Sequence, residues 1–137
     1  MAKETGFPMT VSVDDSGGTL RDISNDITNV SFGTPQNQQD ITGLDKSAIE
    51  RLGLLKDGQV TLNGVFNDAA LMSHIVFKDF DTIFSGQVGR TVTIAISGQT
   101  LSMEMLFTDY ALTRGGDGSL TWTATGQLSD GTSPSWS

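Results

Sequence analysis

The sequence contains no cysteine and a single histidine, His74, among its 137 residues. These shortages exclude disulfide bonds, a cysteine nucleophile, a thiolate metal site and a metal site built from several histidines of one chain. Basic residues are also few, since eight Lys and Arg stand against 16 Asp and Glu, and the formal net charge is −8. Because like charges repel, this balance argues against nucleic acid or an anionic membrane as a tightly bound partner.

Long apolar stretches are missing as well. Residues 1–5 lack the apolar core of a signal peptide, and no apolar run approaches the roughly 20 residues of a membrane span, so we expect no membrane partner. The chain has 13 Asp but only three Glu, together with 31 Ser and Thr and 16 Gly. Since Glu populates helices and Asp favours turns, this composition is typical of strands with hydroxyl-bearing outer faces joined by tight turns.

Alternating apolar and polar residues predict most of the secondary structure. A chain of this length is expected to fold as one domain, over residues 1–137. Period-2 alternation predicts strands over residues 9–13, 19–23, 30–32, 60–66, 91–96, 101–107 and 120–124, of which the sixth can continue through Leu112. Turns at residues 97–99 and 114–118 join the last three strands into an antiparallel meander.

Residues 33–57 are the least regular part of the chain, and we interpret them as a long loop. Residues 33–40 are polar and almost uncharged, which indicates a projecting loop or a long hairpin tip. In the same stretch, Ile49, Leu52 and Leu55 follow helical spacing and predict a short helix over residues 46–55, with Asp45 as a cap. Residues 1–8 and 129–137 are predicted to form a flexible arm and a flexible tail.

One longer helix is predicted over residues 69–80, with Asn67 or Asp68 as its N-cap. Its apolar residues recur at helical spacing: Leu71, Met72, Ile75, Val76 and Phe80. With one helix among many strands, the predicted fold is mainly β, and one sheet alone cannot bury all the apolar strand faces. We expect a β-sandwich or a partly closed β-barrel with one flanking α-helix.

None of the candidate motifs has all the residues that catalysis or ligand binding requires. His74 has no histidine or cysteine partner, which favours a partly exposed helix residue over a base or ligand. Residues 14–17 begin like a calcium loop, but the twelfth position is Asn25, so a turn is favoured. Residues 114–118 are glycine-rich, yet they join two strands, whereas a phosphate cradle needs a helix N-terminus.

Carboxylates and tryptophans are candidates for carbohydrate chemistry. Carboxylates that could pair for glycoside hydrolysis are Asp79, Asp81, Glu104 and Asp109. An Asp-rich β protein offers such pairs by chance, so a solvated face is favoured. Trp122 is in phase with Leu120 and is predicted to lie in the core, while Trp136 is predicted to be an exposed anchor for another subunit. We expect no catalytic residue, no metal ligand and no cofactor.

Two motifs carry a resemblance to a known family. Residues 13–24 read Val-Asp-Asp-Ser-Gly-Gly-Thr-Leu-Arg-Asp-Ile-Ser, and in residues 55–68 a Lys-Asp-Gly turn precedes a strand that ends in Phe-Asn-Asp. Both motifs resemble phage major tail proteins, the tail tube subunits of long-tailed, siphovirus-like bacteriophages. The order of the predicted elements over residues 9–127 is also similar to that family.

The resemblance implies a structural protein of the virion tail without catalytic residues. Six subunits would join their sheets into a ring, and stacked rings would form the tube through which double-stranded DNA passes into the host without tight binding. Tape-measure, tail-tip and tail-terminator proteins are implied partners, and assembly is implied in the host cytoplasm. The long loop and the terminal segments would contact other subunits, through Phe7, Pro35, Gln36, Gln38, Gln39, Asp40 and Trp136.

Three other interpretations stay open. A tube subunit of a related secretion or bacteriocin machine would share the fold and the ring. A monomeric carbohydrate-binding β-sandwich module would show an exposed row of aromatic residues and no assembly. A small hydrolase would need a concave pocket and a carboxylate with a raised pKa.

Overall fold

The computed structural model describes residues 3, 5–15, 18–70, 72–78, 89–129 and 131–137. These residues form ten strands, one short α-helix and one turn of 3₁₀ helix. In chain order the elements are β1 (Thr10–Asp14), β2 (Leu20–Asp22), the 3₁₀ turn (Ser24–Asp26), β3 (Ile27–Gly33), β4 (Gln36–Asp40), β5 (Arg51–Lys56), β6 (Gln59–Val65), α1 (Ser73–Phe77), β7 (Arg90–Ile96), β8 (Gln99–Arg114), β9 (Leu120–Leu128) and β10 (Ser135–Trp136).

Eight strands form one antiparallel sheet in the order β2–β1–β7–β8–β9–β6–β3, with β10 added beside β8. The 16-residue β8 is shared by both halves, because its first part pairs with β7 and its second part with β9. The register shifts between Phe107 and Asp109, and such a bulge bends a strand. The sheet is not closed, since β2 and β3 remain its two edges. The predicted mainly β, sandwich-like fold with a flanking helix is confirmed.

Strands β1, β6, β7, β8 and β9 and helix α1 contribute buried apolar side chains to one core cluster. Alternate residues are buried in β6, β7, β9 and the first half of β8, including Leu62 of β6, Ile94 of β7, Met105 of β8 and Ala124 of β9. The core position predicted for Trp122 is confirmed, because its side chain is 1% exposed. Its indole Nε1 donates to the carbonyl of Val65 at 2.9 Å, so burial leaves no polar atom of the ring unpaired.

Helix α1 is shorter than the sequence predicts. The expected start at residue 69 and the N-cap at Asn67 or Asp68 are wrong, because the N-cap position is Met72 and the helix begins at Ser73. Asn67 Oδ1 instead accepts the N–H of Ala69 at 3.0 Å and stabilises a turn. The last part of the predicted helix, from residue 79, lies outside the described residues.

One face of α1 covers the sheet. Val76 and Phe77 are fully buried, although Phe77 was not among the residues of the predicted apolar face. The Phe77 ring lies 5.1 Å from the ring of Phe107, 5.6 Å from that of Tyr110 and 5.3 Å from that of Trp122, measured between centroids. This aromatic cluster joins the helix to both β8 and β9.

The short helix predicted over residues 46–55 is wrong, because residues 51–56 form strand β5. In the antiparallel pair with β4, Gln39 lies opposite Leu52 and Asp40 opposite Arg51. The sequence Leu52-Gly53-Leu54 alternates as a strand does, and pairing with β4 selects that alternation over the helical spacing. Within the predicted long loop the structure therefore has a hairpin, residues 36–56, which we call the β4–β5 hairpin.

The C-terminal segment is paired with the main sheet. Ser135 lies opposite Ser102 and Trp136 opposite Leu101, so part of the segment predicted to be a flexible tail is a strand. Ser137 and Thr100 exchange two backbone hydrogen bonds of 2.8 Å. Over the described residues, no helix is both long enough and apolar enough to cross a membrane.

Candidate assembly surface

Exposed apolar side chains are concentrated on the β4–β5 hairpin. Of the eleven large apolar side chains that are exposed in the described part of the chain, six lie on it: Ile41, Leu44, Ile49, Leu52, Leu54 and Leu55. Over the same residues, β4 and β5 pack extensively only against each other. A two-stranded hairpin is marginally stable in water, and clustered apolar side chains mark contact sites. The hairpin therefore has the features of a surface that another chain covers.

The structure brings five of the seven predicted contact residues together on this hairpin or at its entry: Pro35, Gln36, Gln38, Gln39 and Asp40. Their side chains are exposed. Gln36 Nε2 donates to the carbonyl of Leu54 at 3.1 Å, and the carbonyl of Pro35 accepts the N–H of Asp57 at 2.8 Å. These bonds hold the base of the hairpin in register.

The far end of the hairpin, residues 41–50, is held by a compact hydrogen-bond network, and we call it the tip. Asp40 Oδ1 accepts the hydroxyl of Thr42 at 2.6 Å and its N–H at 2.9 Å. These two bonds hold the pKa of Asp40 below its usual value. Thr42 Oγ1 in turn accepts the N–H of Glu50 at 2.8 Å. The tip therefore presents Leu44, whose side chain is fully exposed, on an ordered loop.

Phe7 lies apart from the hairpin, at a groove of about 510 Å³ between the N-terminal arm and β3. Met9, Val11 and residues 27–30 are among the residues that line this groove. The described residues that line it are all uncharged, and Phe7 itself is 95% exposed. Strand β3 pairs with β6 alone in the described sheet, so the groove runs beside a strand edge.

Trp136 occupies a third position, on β10. Its side chain is half exposed, and its ring packs against that of Phe32 with the centroids 6.1 Å apart. The predicted contact residues thus fall into three groups: the hairpin, the groove and β10. Sequence reasoning missed the exposed leucines of the hairpin, although the alternation of Leu52, Gly53 and Leu54 could have indicated them.

A polar network lies under helix α1. The carboxylate of Asp26, which is 4% exposed, accepts the side-chain amide of Asn67 at 2.9 Å and the N–H of Ser73 at 3.0 Å. His74 is half-buried, as expected for a partly exposed helix residue, and its Nδ1 lies 3.2 Å from the hydroxyl of Tyr110. In the described ranges, no three His, Asp or Glu side chains are grouped so that they could hold a metal ion.

The described residues of the candidate calcium and phosphate motifs make hydrogen bonds within their own chain. Asp15 accepts the N–H of Thr19 at 3.0 Å and pairs with Arg21 Nε at 2.9 Å, while residues 16 and 17 lie outside the described residues. Gly118 has φ +91°, a value that favours glycine, in the turn between β8 and β9. The hairpin turn predicted over residues 114–118 is therefore confirmed.

Among the described residues, the candidate carboxylates for glycoside hydrolysis do not form a site. Glu104 accepts the hydroxyl of Thr91 at 2.7 Å across the β7–β8 pair. Asp109 follows the bulge in β8 and is exposed. Asp79 and Asp81 lie outside the described residues. Glu104 thus supports a cross-strand contact on the sheet surface.

Tyr110, the only tyrosine of the chain, is expected to titrate at unusually high pH. Burial, with the negative charge of Asp26 as a second cause, raises the pKa of Tyr110 from 10.0 to about 12. Since this folded-state pKa exceeds the unfolded value, stability is unaffected below about pH 10 and falls as the pH rises towards about 12. The ultraviolet absorbance of tyrosinate measures the pKa, and Tyr110→Phe should remove this part of the alkaline loss. A pKa near 10 in the folded chain would contradict the prediction.

Comparisons with known proteins come from solved structures, because no protein-family model and no curated protein matches the chain. A chain in the tail of an empty gene transfer agent particle, refined with helical and C6 symmetry, has a TM-score of 0.76 at 15% identity. A chain in the virion of a native gene transfer agent particle has a TM-score of 0.74 at 15% identity. Both alignments cover 98% of this chain and 99% of the other.

A third neighbour comes from a different particle. A chain of the baseplate of the anti-feeding prophage, solved with sixfold symmetrisation, has a TM-score of 0.64 at 14% identity, with 100% of this chain and 97% of that chain covered. Likeness at such low identity shows the fold alone. The chain therefore has the fold found in the tail of a gene transfer agent and in the baseplate of the anti-feeding prophage.

Proposed function

We propose that this chain is the subunit of a phage-type tail tube, in which six copies form a ring and the rings stack. The observation that carries the proposal is the β4–β5 hairpin, with its six exposed apolar side chains and no extensive packing within the described chain. The fold supports it, since two of its solved neighbours come from structures with sixfold symmetry. The open edges β2 and β3 add a second means of joining copies, by strand pairing.

In this proposal the three groups of predicted contact residues lie between subunits. The hairpin with Pro35–Asp40, Phe7 at the groove, and Trp136 on β10 contact neighbouring copies. Tape-measure, tail-tip and tail-terminator proteins cap or fill the tube, and double-stranded DNA passes through it during ejection. The charge of −8 per copy repels DNA phosphates, so DNA does not adhere to the wall. The role is structural, in the virion tail, without catalysis.

A second candidate is the tube of a related secretion or bacteriocin machine. The likeness to the anti-feeding prophage baseplate chain favours it. Such a tube would have the same subunit contacts and would differ in what passes through it. Ejection of DNA, measured with assembled particles, separates the two candidates.

Assembly of the purified chain tests the proposal. We expect light scattering after size exclusion to show particles of about six times 14.6 kDa, and negative-stain images to show rings or hollow tubes. Raising the salt concentration should promote assembly, because it screens the repulsion between copies that each carry −8. A monomer at every protein and salt concentration, with purified tail-tip protein added as an initiator, would contradict the proposal.

A double substitution on the hairpin gives a sharper form of this test. Leu52→Asp combined with Leu54→Asp should abolish ring formation, because it places two charges on the apolar surface. The matched control is Leu112→Asp, since Leu112 of β8 is exposed to the same degree but lies outside the hairpin. Circular dichroism should show that all three chains keep their strand content.

A further inference from the structure

The tip and the groove are complementary in size and chemistry. The tip presents Leu44, fully exposed, on a loop that the Asp40–Thr42–Glu50 hydrogen bonds hold in place. The groove offers about 510 Å³, and its described lining is uncharged: apolar side chains such as Met9 and Val30 lie beside polar ones such as Thr28. Ligand pockets in proteins have volumes of this order. An apolar side chain on an ordered loop can enter such a groove at a small entropic cost.

The distribution of charge favours a second copy of this chain as the source of the tip. Residues 36–56 contain three acidic residues (Asp40, Asp45 and Glu50) and three basic residues (Lys46, Arg51 and Lys56), so the hairpin is neutral. The rest of the chain contains the other 13 acidic and five basic residues and carries the whole net charge of −8. Since two acidic bodies repel each other, the neutral hairpin is the segment that can approach a second copy without a net electrostatic penalty.

The length of the hairpin also suits contact between copies. The five residues of β4 extend the hairpin by about 17 Å, and the tip adds to that length. Over the described residues, the hairpin makes no extensive packing contact with the sheet of its own chain. The exposed apolar side chains of its tip, Ile41, Leu44 and Ile49, are therefore accessible to a neighbouring molecule.

We propose that the tip of one copy inserts Leu44 into the groove of a neighbouring copy, between the N-terminal arm and β3. This inference rests on the proposed function and names the two surfaces that join its subunits. The contact is heterologous, because tip and groove are different surfaces, and contacts of this kind generate rings or open stacks. In the assembly, Leu44 is buried among Met9, Ile27 and Val30, and Phe7 closes over it.

Disulfide trapping tests the contact directly, since the chain has no cysteine of its own. Leu44→Cys is mixed under mild oxidation with Thr28→Cys, whose position is exposed and lines the groove. One of the two chains carries a tag, so that mixed dimers are distinguished by mass. In the control mixture, the Leu112→Cys chain is used in place of the Thr28→Cys chain, because Leu112 is exposed but does not line the groove. We expect mixed dimers to form at least about tenfold faster than in the control.

The double variant with both Leu44→Cys and Thr28→Cys adds a second readout. It should give a ladder of covalent oligomers, because each copy offers both surfaces. Fast closure within one chain would show that the tip occupies its own groove, and would overturn the proposal. Cross-linking no faster than in the control would also overturn it, as would trapping of Leu44→Cys only by another tail protein.

Substitutions without cross-linking separate this inference from the proposed function. Leu44→Asp should raise the protein concentration required for ring formation about tenfold or more, while Leu44→Met, which conserves volume, and Ser47→Asp in the same loop should leave it nearly unchanged. If Leu44→Asp forms rings as readily as the unaltered chain, the proposed groove contact is wrong, and the proposed tube function still stands. If the unaltered chain forms no rings and the cysteine variants form no cross-links, both proposals fail.

Discussion

Replacing Gly64 by alanine is expected to lower the free energy of unfolding by about 3 kcal/mol. Gly64 lies in β6, opposite Trp122 of β9 and Ile27 of β3. A Cβ at this position would collide with the carbonyl oxygen of Asp26 and would lie 2.6 Å from the nearest ring atom of Trp122. One of these neighbours is backbone and the other is the largest side chain of the core, so neither can move aside without strain elsewhere.

Urea denaturation followed by tryptophan fluorescence measures this effect. The control is Gly116→Ala, because no atom lies within 4 Å of the Cβ that it would add, and we expect a change of less than about 0.5 kcal/mol. The larger Gly64→Val should be more destabilising than Gly64→Ala. If Gly64→Ala unfolds at the same urea concentration as the unaltered chain, β6 does not approach the 3₁₀ turn closely enough for an added Cβ to collide with it.

Asp26→Ala should cost a similar amount, about 3 kcal/mol, by a different mechanism. The substitution removes the acceptor of the Ser73 N–H and of the Asn67 amide, and an unsatisfied buried donor costs about 1–3 kcal/mol. Asp26→Asn retains one carbonyl oxygen and can keep one of the two bonds, so we expect about half of that loss. The free energy of unfolding of the three chains, compared in urea, checks the order.

Ser73→Ala provides a matched control for Asp26. Its side-chain oxygen is fully buried and has no hydrogen-bond partner among the described residues, so its removal should be neutral or slightly stabilising. It leaves the backbone N–H of residue 73 in place to bond Asp26. If Asp26→Ala destabilises the chain no more than Ser73→Ala does, the carboxylate does not anchor helix α1 to the 3₁₀ turn.

The meander and its core could be predicted from the sequence because local rules determine them. Apolar residues alternate through β7, β8 and β9, and glycine-containing turns join these strands, so strand type, face and pairing all follow from neighbours in the chain. The core position of Trp122 followed from its phase with Leu120 and Ala124. The start of helix α1 and the pairing of β4 depend on residues elsewhere in the chain, so they were harder to predict.

Two elements illustrate what local rules miss. Helix α1 begins at Ser73 because the carboxylate of Asp26, 47 residues earlier in the chain, accepts its first N–H, and no local capping motif indicates this start. Strand β4 is exposed on both faces, so its Gln-rich sequence shows no alternation at all. Its pairing with β5 became visible only in the structure. The groove likewise arises from the arm and β3 meeting in space.

The exposed apolar side chains of the β4–β5 hairpin were not predicted from the sequence. The resemblance implied contacts at residues 35–40, which stays a prediction, and the structure places these residues on the hairpin or at its entry. The apolar side chains of that element lie on β5 and the tip, where helical spacing suggested burial instead. A surface that binds another chain has the same apolar pattern as a core, so sequence alone cannot distinguish the two.

The position of β8 between its sequence neighbours predicts an order in which the protein folds. Strands β7, β8 and β9 pair through short turns, whereas Val11 of β1 must find Ile94 of β7 across most of the chain. Because closing a long loop is slower than closing a short turn, the meander forms first and the N-terminal strands add to it. During synthesis β1 leaves the ribosome long before β7, the strand that pairs with it on the side away from β2. We therefore expect β1 to gain protection from hydrogen exchange after the meander, although it is synthesised before it.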